Sequence, residues 1–133
     1  LCKAATATAI LVAGDFNDNP DDASMLLLTD EEPCQLHQLD FAFGNKQVKG
    51  TLKYKGRWER FDQFLVNSGI YHTTAAFGLG GKSTVVFSPE YMLIEDEKYG
   101  GVKPYRTYEG YRYFGGFSDH LPIFIDLYPT DQQ

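Results

Sequence analysis

Three short segments carry side chains suited to chemistry on a charged, oxygen-rich substrate. They are Gly14-Asp15-Phe16-Asn17, Arg60-Phe61-Asp62-Gln63-Phe64-Leu65-Val66 and Ser118-Asp119-His120-Leu121-Pro122-Ile123. Each sets a carboxylate beside an apolar run. Hard cations such as magnesium prefer carboxylate oxygen and need few protein ligands, because they keep water. A histidine next to such a cluster, held protonated by a carboxylate neighbour, can face a phosphate. Asp15 and Asn17 alternate along the chain, so both can face one pocket. Taken singly, the three read as an Asx turn, an edge-strand acid and a solvated loop. Together, in this order and each beside a strand, they weigh against those plain readings.

The elements that must hold these groups follow from the apolar pattern. Ala9–Ala13 is a short apolar run bounded by Gly14, which predicts a strand over 9–15 buried on both faces. The polar residues after it fall at the strand's C-terminal end, where open α/β sheets place their sites. Asn19 is expected to cap a helix over 20–29, with Pro20 first and Asp21 and Asp22 in its opening turn. Leu36, Leu39, Phe41 and Phe43 mark a second apolar segment. Residues 44–57 read as a loop with a short strand at Thr51–Tyr54. Phe61–Val66 predicts a strand, 68–83 a glycine-containing loop or weak element, and Thr84–Phe87 a short strand stopped by Pro89. Residues 99–117 are rich in Tyr, Phe, Gly and Arg and show no period. Pro122–Tyr128 predicts one further strand through Ile123-Phe124-Ile125-Asp126-Leu127. Residues 1–8 read as a helix tail or a frayed end.

Composition bounds the class. The chain has 133 residues, 43% apolar and 15% aromatic, which suits a single domain, 1–133, with a real core. No apolar run reaches the length of a membrane span. No basic, apolar leader is visible and Leu1 is not Met, so the start reads as a processing site or an artificial boundary, and the compartment is not legible. A net charge of -6 and a pI of about 4.9 argue against tight, non-specific binding to a phosphate backbone. Cys2 and Cys34 are too few for a disulfide framework and read as free thiols or a single pair. Asp15, Asn17 and Asn19 match the start of a calcium loop, but Pro20 and Leu26 break its glycine and glutamate positions. Gly80-Gly81-Lys82-Ser83 mimics the end of a nucleotide loop, yet Thr84-Val85-Val86-Phe87 reads as strand rather than helix. His37 and His72 have no partner at ligand spacing and read as surface or half-buried residues.

The GDFN, RFDQFLV and SDH-x-P segments together resemble the endonuclease/exonuclease/phosphatase superfamily, with its deoxyribonuclease I-like fold, over residues 9–128. Pro104-Tyr105-Arg106-Thr107-Tyr108 and Gly115-Gly116-Phe117 resemble a branch of secreted or cell-surface bacterial members. The resemblance implies an α/β (α+β) fold: a mixed β-sheet with flanking helices, the C-terminal half of a four-layer α/β/β/α sandwich. It implies that Asp15 orients or deprotonates the attacking water and that Asn17 holds a phosphate oxygen. Asp119, with Asp15, would bind the divalent metal, Mg2+ with Mn2+ or Ca2+ as alternatives. His120 would contact the phosphate as a cation or act as general acid/base, and Asp62 would keep it oriented and charged.

The same resemblance implies that a metal-binding Glu, an early Asn and a His or Tyr come from a missing N-terminal half. Glu31, Glu32, Glu59, Glu90, Glu95, Glu97 and Glu109 sit in no matching context. The isolated chain is therefore expected to be weakly active or inactive. A half-fold would also leave one apolar sheet face uncovered, which predicts self-association as a homodimer. Arg106, Tyr108 and Arg112 are substrate-binding candidates, since cations interleaved with rings suit nucleic acid or sugar-phosphate ligands. The plainer reading is a loop whose rings cover the sheet edge. The substrate classes are nucleic acid, phosphoinositide, lipid head group or sugar phosphate, and the acidic charge favours the smaller ones. The alternative functions are a non-catalytic ligand- or protein-binding domain that kept the fold, and a carbohydrate-binding aromatic loop.

Overall fold

A computed structural model describes residues 8–30 and 35–130. In chain order its elements begin with β1 (Leu11–Asp15), α1 (Ala23–Asp30), β2 (Leu36–Gln38), β3 (Asp40–Phe43), β4 (Leu52–Tyr54), β5 (Arg57–Glu59) and β6 (Asp62–Asn67). They continue with α2 (Ser68–Tyr71), β7 (Phe77–Leu79), β8 (Ser83–Val86), a 3-10 turn (Glu90–Met92), β9 (Leu93–Glu95) and β10 (Val102–Pro104). The last are β11 (Tyr108–Glu109), β12 (Arg112–Tyr113), β13 (Ile123–Phe124) and β14 (Leu127–Pro129). Strand dominates and helix is sparse, an α+β fold built from small sheets.

Two of those sheets position the site. One has the order β1-β6-β2, antiparallel throughout. The other has the order β13-β8-β3, where β3 and β8 run parallel. Alternation along β6 sends Phe64 and Val66 to one face, where they join a cluster with Leu39, Ile70 and Leu79. Leu65 and Gln63 take the opposite face, and both are buried. A second cluster, Val48, Val86, Met92 and Leu121, lies under β8 and is walled by Phe41, Phe43 and Trp58. Each fully buried Leu or Val contributes about 1.5–3 kcal/mol through burial. No described helix is long and apolar enough to cross a membrane.

Several expectations change. β1 is a strand, but all five of its residues are exposed rather than buried on both faces. It is an edge strand that pairs only with β6 among the described residues. The helix begins at Ala23, not Pro20: residues 19–22 first make a turn closed by Asp22 N–H donating to Asn19 O (2.9 Å). The run Pro122–Tyr128 is not one strand. β13 pairs with β8 and β14 with β7, and the chain switches sheets at Ile125-Asp126. Ile125 packs on the first cluster and Asp126 O accepts from Gly80 N–H, so the apolar alternation persists while the partner changes. The glycine-containing stretch 68–83 holds α2 and β7, and Thr84 lies in strand β8, as its β-branched run implied. Residues 105–117 fold into a hairpin despite having no period. Cys2, Cys34 and most of residues 1–8 lie outside the described residues.

Candidate active site

The site starts from register. Asn67 N–H donates to Ile10 O and Phe16 N–H to Phe61 O, so even-numbered residues of β1 form its hydrogen-bonded pairs with β6. Asp15 and Asp62 are therefore a non-hydrogen-bonded pair at the sheet's end. In such pairs side chains stand closest, on one face, here the face that carries Phe64 and Val66. Two like charges directly opposite one another are destabilising. His120 partners one of them: its Nδ1 lies 2.7 Å from Asp62 Oδ2, with both side chains half-buried. A carboxylate only accepts, so Nδ1 is the protonated nitrogen and donates. Nε2 has no hydrogen-bond partner among the described residues and is left to meet a ligand.

Residue 120 is far from residue 62 in sequence, and β4 brings the two together. Leu52 pairs with His120 in an isolated antiparallel bridge, and Leu121 N–H donates to Thr51 O (2.8 Å). Leu121 then plunges into the second cluster, and Ser118 Oγ accepts from His120 N–H (3.1 Å). Thr51 is fully buried and touches every side of this junction. Its N–H donates to Glu59 O (2.8 Å), and its Oγ1 accepts from Asp62 N–H (3.4 Å). Gly50, just before it, admits no side chain, since a Cβ there would collide with the Glu59 carbonyl. Sequence reasoning missed Thr51; a threonine in a Gly/Lys-rich loop carries no signal of this role.

The loop after β1 is held with equal care. Asp15 Oδ1 accepts from Asn17 N–H (2.9 Å), an Asx turn that holds Asn17 in the left-handed region at φ 55°. Asn19 does not cap the helix. Its Oδ1 accepts from Arg60 N–H (2.8 Å) and its Nδ2 donates to Glu59 Oε2 (2.8 Å), which rivets this loop to the β5–β6 junction. Buried Gln63 donates to Asp18 O (2.8 Å). The side chains of Asn17 and Asp119 make no hydrogen bond among the described residues, and both residues are exposed. No described group of three or more His, Cys, Asp or Glu side chains is placed to share one metal ion. The acids present are hard oxygen donors of the right kind, but they do not make a complete ion site.

Behind β4 lies a buried ion pair. Lys53 Nζ donates to Asp96 Oδ2 (2.9 Å) and to Gly100 O (2.6 Å), with each charged side chain only 5% exposed. Burial pushes the Asp96 carboxyl up, but hydrogen bonds from Lys53 and Tyr99 N–H outweigh it and hold Asp96 below its ordinary 3.8. At the far end of β6, His37 stacks on Tyr71 (4.3 Å) and meets His72 edge-on (5.5 Å). Burial, then the nearby His72 and Lys82, push His37 below its ordinary 6.5. Arg106 and Arg112 line a cavity beside the β11–β12 hairpin. Tyr108 is exposed and packs edge-on against its register partner Tyr113 (5.3 Å).

The family model of the endonuclease/exonuclease/phosphatase family matches residues 1–128. The chain belongs to this family. No curated protein and no solved structure matches the chain significantly. Members of the endonuclease/exonuclease/phosphatase family are generally metal-dependent phosphoester hydrolases. In this member, His120 contacts Asp62 and Asp15 is the register partner of Asp62, with Asn17 two residues after Asp15 and Asp119 just before His120.

Proposed function

We propose that this chain carries the imidazole–carboxylate part of a phosphoester hydrolase site that works by water attack on phosphorus. The observation that carries the reading is the 2.7 Å contact between His120 and Asp62, beside Asp15 as its register partner. Asp15 takes a proton from the attacking water as the new P–O bond forms. His120, with Nδ1 donating to Asp62, presents Nε2–H to the phosphate, and the leaving oxygen takes that proton as its bond to phosphorus breaks. Asp62 acts through His120 and holds the ring's tautomer and orientation. Asn17 donates to a phosphoryl oxygen as charge develops.

Asp15 and Asp119 are this chain's carboxylate donors toward Mg2+, which when bound supplies charge neutralisation at the phosphoryl oxygens. The remaining ion ligands come from the other half of the family's domain, so the 133-residue chain alone is weak or inactive. A small phosphodiester, phosphoinositide or sugar phosphate suits the acidic chain better than long nucleic acid.

The test is hydrolysis of bis-p-nitrophenyl phosphate with Mg2+ by the chain alone and by a parent that carries both halves. His120→Gln in the parent should lower kcat by about 10²–10⁴-fold, the usual contribution of one general acid. Robust turnover by the chain alone would contradict the divided site. An unchanged rate in His120→Gln would leave a binding domain as the better reading.

A further inference from the structure

A cavity of about 600 Å³ opens between the β9–β10 hairpin and the β11–β12 hairpin. That volume lies within the range of small-molecule sites. None of Asp15, Asn17, Asp62, Asp119 or His120 lines it. Its chemistry is carried by Glu95, Glu97, Lys98, Arg106, Arg112 and Phe114.

The charges on this wall are held apart. Lys103 is neutralised by Glu109 (3.3 Å). Lys98, Arg106 and Arg112 have no ion-pair partner within 4 Å among the described residues, although Glu95 and Glu97 line the same space. Arg112 is laid over the Phe114 ring, 4.9 Å from its centroid, which pre-sets the guanidinium. Arg106 donates one long hydrogen bond to Lys53 O (3.3 Å), and its Nε is enclosed with no acceptor. A guanidinium carries five donors, so most of its capacity is unspent. The backbone behind it is tight, because Gly116 N–H donates to Arg106 O (3.1 Å) and a Cβ at Gly116 would collide with the Tyr105 carbonyl.

We propose that this cavity is a second ligand site, separate from the His120 cluster, for a small phosphorylated polyol of sugar-phosphate type. A phosphate monoester matches the unpaired Arg106 and Arg112 forks. Hydroxyl groups match Glu95 and Glu97, which can only accept and would repel a polyanion. A flat apolar ring face packs on Phe114 and Tyr105. Neither inorganic phosphate nor a neutral sugar uses both halves of this lining. The site is defined by its own residues and stands whether or not the His120 cluster turns over substrate.

The test is a calorimetric and NMR titration of the 133-residue chain. The probes are glucose 6-phosphate, glucose and inorganic phosphate, each with EDTA present. Glucose 6-phosphate should saturate, bind more tightly than the other two, and shift amides at 94–98, 103–106 and 112–114. Arg112→Gln should weaken it about tenfold or more, as expected for one charge-assisted hydrogen bond. Arg112 is exposed, so this variant should keep its fold, which its urea midpoint checks. Glu95→Gln should weaken glucose 6-phosphate but not inorganic phosphate. No saturation by about 10 mM, equal affinity for phosphate and glucose 6-phosphate, or shifts confined to 15–17 and 118–120 would each overturn the proposal.

Discussion

Lys53→Met is the sharpest single test of how the site is braced. It deletes a cation that satisfies both Asp96 Oδ2 and Gly100 O, and it leaves a carboxylate with almost no access to water. Breaking a buried pair by removing one partner costs about 3–5 kcal/mol, because the other charge remains uncompensated. The cover here is a single turn, closed by Asp96 N–H to Gly101 O and Gly100 N–H to Asp96 O, so the low end applies. A loss of about 3 kcal/mol corresponds to a Tm drop of about 10 °C for a chain of this size. Lys53→Met/Asp96→Asn should recover most of that loss, since an amide oxygen still accepts from Tyr99 N–H and no charge is stranded. Urea and thermal unfolding of the wild type, both single variants and the double variant give the coupling, expected at about 2 kcal/mol. Single variants within about 0.5 kcal/mol of wild type and a strictly additive double would refute the reasoning, because they would mean that the pair is hydrated. Lys53 follows Leu52, the register partner of His120, so NMR shifts at 119–121 should move with it.

Acid should unfold the chain in two windows. Asp96 has a depressed folded value, so its contribution is complete above its ordinary 3.8 and is lost as pH falls through the folded value. His37 is also depressed, but as a base: the unfolded chain binds the proton first, so stability declines as pH falls below 6.5 and levels off below the folded value. Urea midpoints of wild type, Asp96→Asn and His37→Gln across pH separate the two. Gly116→Ala should cost about 1–3 kcal/mol by forcing a methyl against the Tyr105 carbonyl; an unchanged midpoint would show that the hairpin yields freely. Mg2+ should bind the 133-residue chain weakly, with amide shifts at 15–17 and 118–120 reversed by EDTA. Tight, stoichiometric binding would mean that a full donor set is present after all.

The local geometry of the candidate site was legible in part because its pieces are short segments. The Asp15–Asn17 turn, the acid at the start of β6 and Ser118-Asp119-His120 each announce themselves by type and spacing. What joins them is not local. Thr51 acts through one backbone carbonyl and one hydroxyl, and Asn19 spends its amide on Arg60 and Glu59 rather than on the helix that follows it. A cap and a cross-loop rivet look identical in sequence, because both need a short side chain with an acceptor oxygen. The same holds for Ile123–Leu127, where period-2 alternation reports which side chains are inside but not which neighbouring strand accepts the hydrogen bonds. β1 misled for a related reason. Apolar composition signals a strand intended for cover, whereas exposure depends on what lies alongside it.

The parity of the β1–β6 register has a consequence for amide exchange with solvent. Residues 12, 14 and 16 turn their N–H groups toward β6, while 11, 13 and 15 turn theirs to the open side. Deuterium should therefore enter this strand in alternation, fast at the odd positions and slow at the even ones. The peptide group of Asp15 itself belongs to the fast set. Any segment that docks alongside would silence every second amide first, and so disclose its own register.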